Sequence, residues 1–289
     1  MAQRSTSYWQ DLAIFNLAML LIGSSGAWGR TLTIPPPLTI WWRSFLALFF
    51  LGAYCWYAGF SFRVTGRRSR WLLLLAGVLF AGHLVAYFYA LQWANLAIAI
   101  LSVFTFPAMT TLLEPLLLKK PFEGVHLILA VLMMIGVYFL APSFDLSNDL
   151  TAGLAMGLLS AFVFALRNIL LKTQVDAIHG SVLMFHQMVV IVLILVPVLF
   201  IYPPLPPADE FPALIALGLF TTTIGHSLFL MSFRRFSVST ASLMSSTQPI
   251  YGILLGVIFL GEIPGWRSLI GGIIIISTFV IEALRVRTK

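Results

Sequence analysis

Apolar residues run through this chain in long blocks, each ended by a short polar, basic or proline-rich stretch. The blocks fall at roughly 12–30, 38–58, 71–91, 97–118, 124–141, 151–171, 181–202, 212–232, 239–261 and 267–285. Each is close to the ~20 apolar residues a helix needs to cross the hydrocarbon core of a bilayer. The breaks include prolines at 35–37, arginines at 63–70 and a proline-rich stretch at 203–212. The pattern predicts an all-α membrane protein with ten transmembrane helices.

Two of the blocks share a plan. Residues 97–118 read AIAILSVFTFPAMTTLLEPLLL, and 239–261 read STASLMSSTQPIYGILLGVIFLG. Pro107 and Pro249 sit near the middle of each, where a proline removes a backbone hydrogen bond that neighbours must repair. Upstream of each lies a Gly-His pair, Gly82-His83 and Gly225-His226, at nearly the same distance from the proline. Arg30 late in the first block parallels Arg167 in the sixth, and Trp42-Arg43 parallels Phe185-His186. The chain therefore reads as one five-helix unit used twice, 1–145 and 146–289. Five is odd, so the second unit enters the membrane inverted relative to the first, as in many secondary transporters. The first block completes the first unit and is read as a helix, not as a cleaved signal.

Charge changes the picture in two ways. Only 9% of residues are charged and 60% are hydrophobic, against about 25% charged in a soluble domain. The surface must face lipid. The net charge of +7 does not point to nucleic acid, because the basic residues lie in short loops between apolar blocks. With the N-terminus inside, the inner segments hold Arg4, Arg63, Arg67, Arg68, Arg70, Lys119, Lys120, Lys172, Arg234, Arg235, Arg285, Arg287 and Lys289. The outer ends hold Arg30 and Arg267, with Asp145, Asp149, Asp209, Glu210 and Glu262. By the positive-inside rule both termini are cytoplasmic. Cys55 is the one cysteine, so no intramolecular disulfide forms. No H-E-x-x-H, phosphate-binding loop or cysteine cluster is present, and no metal or cofactor is expected.

Ten helices as five plus five, Arg43 early in the second block, and a proline in the fourth and ninth together resemble the EamA-like branch of the drug/metabolite transporter superfamily. The most diagnostic part runs from Pro249 through Leu260-Gly261-Glu262 into Trp266-Arg267-Ser268-Leu269-Ile270-Gly271-Gly272. The first half departs from it: Lys120 stands where the Gly-Glu would fall, and Glu114 comes two turns earlier. The resemblance implies a multi-pass protein of a bacterial inner membrane. It implies a small-molecule substrate, amino acids first, moved outward by alternating access.

Candidate site residues follow from depth and symmetry. His83 and His226 fall near the bilayer midplane, where ionisable groups are costly and tend to be functional. They are candidates for substrate binding and, with Glu114, for proton coupling; the alternative is a neutral histidine bonded between helices. Tyr87 lies one turn beyond His83 on the same face. Ser245 and Gln248, with Ser246, Thr247 and Tyr251, form a polar approach to Pro249 that lines a site or repairs the helix. Their counterparts at 103–106 are far more apolar, so the cavity is expected to have one polar and one aromatic wall. Arg43 is placed to bind an anionic group or close an outer gate, and Trp28 beside Gly26 and Gly29 to gate or pack. Arg167 is expected to snorkel to the interface, and Glu114 to pair with it or with a loop lysine. Pro107, Pro249, Gly252 and Gly256 are hinge or packing positions, and Gly252-x-x-x-Gly256 offers a face for close helix contact, inside the chain or in a homodimer.

Two other classes compete. Gly23-Ser24-Ser25-Gly26 matches the short G-x-S-G of intramembrane serine proteases, which need a Ser–His pair in hydrogen-bond reach. A non-transporting scaffold would have no use for midplane polar residues. An even duplication favours the transporter over both.

Overall fold

The computed structural model describes residues 2–94, 96–119, 121–140, 149–261 and 263–288. Lys120, Asp145 and Glu262 lie outside the described residues, as does the side chain of Ser246. The regular elements among them are all helical: α1 (Ala2–Gly23), α2 (Ser25–Arg30), α3 (Pro36–Tyr57), α4 (Arg67–Trp93), α5 (Leu96–Val103), α6 (Phe106–Leu118), α7 (Gly124–Leu140) and α8 (Asp149–Lys172). After them come α9 (Gly180–Ile194), α10 (Val198–Ile201), α11 (Phe211–Ala216), a π-helix (Leu217–His226), α12 (Ser227–Ser232), α13 (Val238–Met244), α14 (Gln248–Leu260) and α15 (Trp266–Thr288).

Stacked end to end, these helices occupy the ten apolar blocks. Eight blocks are long and apolar enough to cross a bilayer: Gln10–Arg30, Pro36–Tyr57, Arg67–Trp93, Ile98–Leu118, Asp149–Lys172, Gly180–Ile201, Ala208–Ser232 and Val238–Leu260. The apolar parts of the other two, Gly124–Gly136 in α7 and Leu269–Thr278 in α15, are shorter. Large apolar side chains such as Phe49, Trp56, Ile258 and Phe259 point outward. That surface suits lipid, where hydrocarbon meets hydrocarbon at no cost.

The prolines act as breaks between helices rather than kinks within them. Pro107 lies in the first turn of α6 and Pro249 in the first turn of α14, where the missing N–H would have had no partner. Both spans are thus two short helices joined by a turn: α5 to α6 through Thr105, and α13 to α14 through a 3-10 segment at Ser245–Thr247. At each break a hydroxyl bonds back to a carbonyl three residues earlier, Thr105 to Ser102 at 2.8 Å and Ser245 to Ser242 at 2.6 Å.

The core is built on α4 against α8, the most extensive helix pairing, with α3, α5, α6 and α9 around it. The face at Gly252 and Gly256 is used inside the chain. A Cβ at Gly252 would stand 2.7 Å from Ile100 Cδ1 and 3.2 Å from the Gly23 carbonyl, and one at Gly256 would overlap Leu96. Only glycine lets α14 approach α1 and α5 this closely.

Candidate functional site

Where α1–α6, α8, the π-helix, α12 and α14 converge, the helices leave an interior cavity of about 30 Å³. That holds a water or two. Five of the seven residues expected to meet substrate line it together: Arg43, His83, Tyr87, His226 and Gln248. Ser25 joins them, and Val103, Phe104, Phe106, Phe164 and Phe229 complete the wall. Polar and aromatic residues come from both halves of the chain and touch within the wall, rather than forming one polar and one aromatic side. No lining residue is acidic.

Arg43 comes from α3, two turns in, and is 1% exposed. It is held by the π-helix. Its Nε donates to the Thr222 hydroxyl at 2.7 Å and its Nη2 to the Thr221 hydroxyl at 2.8 Å. Each threonine in turn donates to the Leu217 carbonyl, at 2.9 and 2.6 Å, which leaves its oxygen lone pairs for the guanidinium. A π-turn is wider than an α-turn and is often found at functional sites. Here it presents two successive threonines to one arginine. Nη1 is buried and has no partner among the described residues.

His83 bridges α4 to α8. Its Nδ1 lies 2.8 Å from the Ser160 hydroxyl and 3.2 Å from the Ser160 carbonyl, and that hydroxyl lies 2.9 Å from the His83 carbonyl. A carbonyl can only accept, so the arrangement is satisfied when Nδ1 carries the proton and the Ser160 hydroxyl donates to the His83 carbonyl. The tautomer so assigned leaves Nε2 an acceptor. His226 ends the π-helix and is 3% exposed, and its Nδ1 is without a partner. The two imidazoles share aromatic neighbours: His83 stacks on Phe164 at 4.2 Å, and His226 meets Phe80 edge-on at 5.0 Å.

Arg167 does not snorkel. It is fully buried in α8, donating from Nε to Gln187 at 2.8 Å and from Nη1 to Asn168 at 2.9 Å, with its guanidinium 4.2 Å over the Phe80 ring. Nor does it pair with Glu114. That carboxylate accepts from the backbone N–H of Ser239 at 2.8 Å and from its hydroxyl, so it caps the first turn of α13. Interior hydrogen bonds and an aromatic face outcompete a reach to the interface for Arg167.

Tyr87 is within hydrogen-bonding reach of Ser25. A Cβ on Gly26 would stand 2.9 Å from the Tyr87 hydroxyl, so the G-x-S-G glycine serves close packing and its serine faces a tyrosine. Three expected residues stand apart from the cavity. Ser245 is buried on its own helix, Trp28 lies 39% exposed in an apolar groove with Leu255 and Phe259, and Glu114 is at α13. Among the described residues no group of His, Cys, Asp and Glu could hold a metal ion.

Contacts between loops tie the helices together on two sides of the chain. On the side of the α10–α11 loop, Glu210 accepts from the Thr33 N–H at 3.0 Å and from its hydroxyl at 2.5 Å, and Trp42 donates to the Pro204 carbonyl at 2.8 Å. On the other side Lys172 reaches the Phe233 carbonyl, and Arg234 donates to the Val175 carbonyl at 2.6 Å. Sequence reasoning missed Ser160, Thr221 and Thr222 among the supports and Phe164 and Phe229 in the wall. Their types are ordinary in an apolar helix and carry no signal of their own.

Comparison with known proteins bears on this geometry. The model of the EamA-like transporter family matches twice, at residues 11–141 and 151–281. The threonine/homoserine exporter RhtA of Escherichia coli (strain K12) is 28% identical over 68% of this chain and 65% of its own length. This chain therefore spans less than two thirds of that relative. The pseudopaline exporter CntI of Pseudomonas aeruginosa (strain UCBPP-PA14) is 26% identical over 84% of each chain. A crystal structure of a protein 20% identical superposes with a TM-score of 0.75, over 96% of this chain and 98% of the other, which is a likeness of fold.

Proposed function

The chain belongs to the EamA-like transporter family, and from that premise we propose that it is a secondary transporter that exports small metabolites, amino acids foremost, across the inner (plasma) membrane. It is not an enzyme. The observation that carries the reading is the interior cavity, lined from both halves of the chain by buried polar residues within an apolar exterior. The relatives named as exporters, one of them for two amino acids, support the direction and substrate class.

Ten spans form two inverted repeats, 1–145 and 146–289, with both termini cytoplasmic. The shorter α7 and α15 are the fifth span of each. The double family match and the matched breaks at Pro107 and Pro249 support this arrangement. Transport proceeds by alternating access. A cavity of about 30 Å³ is far below the ~300 Å³ of a small-molecule site, so the present state is occluded. The Thr33–Glu210 contacts open one side and the Arg234–Val175 contacts the other. Protons drive the cycle through His83 and His226; a pH gradient that left net flux and accumulation unchanged would exclude this coupling.

The deciding experiment is counterflow in proteoliposomes with a labelled panel of amino acids and nucleobases, alongside a His83→Ala/His226→Ala double variant. Uptake of one class, lost in a variant that still folds, supports both transport and the cavity. Uptake that survives the variant keeps transport and removes the histidines from the site. No uptake of any compound sinks the reading in favour of a scaffold.

A further inference from the structure

The guanidinium of Arg43 has two edges, and the protein uses one. Nε and Nη2 form one edge, and both donate to the threonines of the π-helix. The other edge pairs Nη1 with the second hydrogen of Nη2. Nη1 is buried and has no partner among the described residues, and Arg43 is one of the residues that line the cavity. An arginine in hydrocarbon surroundings keeps its charge. An unpaired buried cation is costly, and Arg43 has no carboxylate beside it. Arg167 adds a second buried cation next to the same wall, over Phe80, and it too is met only by neutral groups. The cavity has no acidic lining residue to offset either.

From this we infer that the cavity recognises a carboxylate, taken end-on by the free edge of Arg43, so the transported metabolites are those bearing a free carboxylate group. The inference rests on the transport reading above and gives it a chemical filter. The geometry suits it: a guanidinium edge presents two parallel N–H donors that match two carboxylate oxygens. Thr221 and Thr222 hold the group from behind and fix that edge toward the cavity. The unpartnered Nδ1 of His226 supplies a second polar contact in the same space. The aromatic wall of Phe104, Phe106, Phe164 and Phe229 takes the rest of the molecule, and its ring faces also suit an ammonium group. A zwitterionic amino acid therefore fits, and so does the matching hydroxy acid, whereas an amine without the carboxylate meets two buried cations and no anion.

The test uses the full chain in proteoliposomes, with counterflow of labelled L-threonine and of a wider panel of labelled amino acids and nucleobases. Whichever compound is taken up is then challenged with four unlabelled partners: itself, its hydroxy acid, its amide and its decarboxylated amine. The expected result is competition by the first two and at least tenfold weaker competition by the amide and amine. Arg43→Lys should retain part of the uptake and Arg43→Gln should lose it, while Arg63→Gln, in an exposed loop, serves as a folding and activity control. Equal competition by the amine or amide overturns the carboxylate anchor and leaves transport standing, and needs no variant to fold. Uptake confined to nucleobases also overturns it. No uptake of any panel member by the wild-type protein overturns the transport reading itself, and this inference with it.

Discussion

Nδ1 of His83 stands 2.8 Å from the hydroxyl of Ser160, and through that contact the midplane of α4 is tied to α8. The serine is fully buried and its hydroxyl serves two acceptors or donors at once. Ser160→Ala should lower stability by about 1 kcal/mol, the range of a hydrogen bond between membrane helices. The imidazole, freed to turn into the cavity, should also alter the pH profile of transport. Thermal unfolding in detergent and counterflow at several pH values would read the two effects. An unchanged melting temperature and profile would mean the contact holds nothing.

Arg43 depends on its two threonines for direction. Thr221→Val or Thr222→Val keeps the shape and removes one hydrogen bond to a charged group, worth roughly 1.5–3 kcal/mol. Each should raise the KM of transport about tenfold or more by that magnitude, with a smaller change in maximal rate. Saturation curves of uptake decide it. A fall in maximal rate with KM intact would assign the threonines to the conformational cycle instead.

Gly26 and Gly82 make a matched pair of tests. A methyl on Gly26 would press on the Tyr87 hydroxyl and on Leu96 Cδ1 at 2.8 Å, whereas a methyl on Gly82 meets nothing within 4 Å. Gly26→Ala should cost about 1–3 kcal/mol by overpacking and reduce transport. Gly82→Ala should fold and transport as the wild type does, with a slight gain from helix propensity. Equal behaviour of the two would show that the α2–α4 contact yields freely.

Glu114 sits at the start of α13, bonded to Ser239. As a cap its negative charge meets the positive end of that helix, worth ~0.3–1 kcal/mol. Glu114→Gln should lower the melting temperature modestly and leave proton-driven flux in place. Loss of the pH dependence of transport, with stability unchanged, would instead make Glu114 a proton carrier.

His179 lies in the loop ahead of α9, where its Nδ1 accepts from the Ser181 N–H and its ring stacks on Phe60 at 4.2 Å. Burial, and then the nearby Arg234, hold its pKa below the ordinary value. The unfolded chain therefore binds the proton first, and the folded state loses stability as pH falls below about 6.5. The melting temperature should drop from pH 7 toward pH 5, and the slope should flatten in His179→Asn, whose amide can still cap α9. Identical pH slopes in the two proteins would remove the histidine as the cause.

Much of the site was legible in the chain. Arg43, His83, Tyr87, His226 and Gln248 were chosen by depth and by symmetry, and they meet in one cavity. Charge is scarce in an apolar span and costly there, so the few polar groups announce themselves. Ser245 and Trp28 were chosen on the same grounds and lie elsewhere. Serine satisfies itself on its own helix, and tryptophan is at home against lipid, so neither type is bound to point inward.

The order of apolar and polar residues by itself determined where the apolar helices lie, that its two halves share a plan, and that Pro107 and Pro249 interrupt two of them. These are local matters of hydrophobic length and of a missing N–H. The tertiary structure alone decided that a π-turn would aim Thr221 and Thr222 at Arg43, that Ser160 would take His83, and that Arg167 would lie buried over Phe80. Those contacts join residues far apart in the chain. Which face of one helix meets which face of another depends on how all the side chains between them pack.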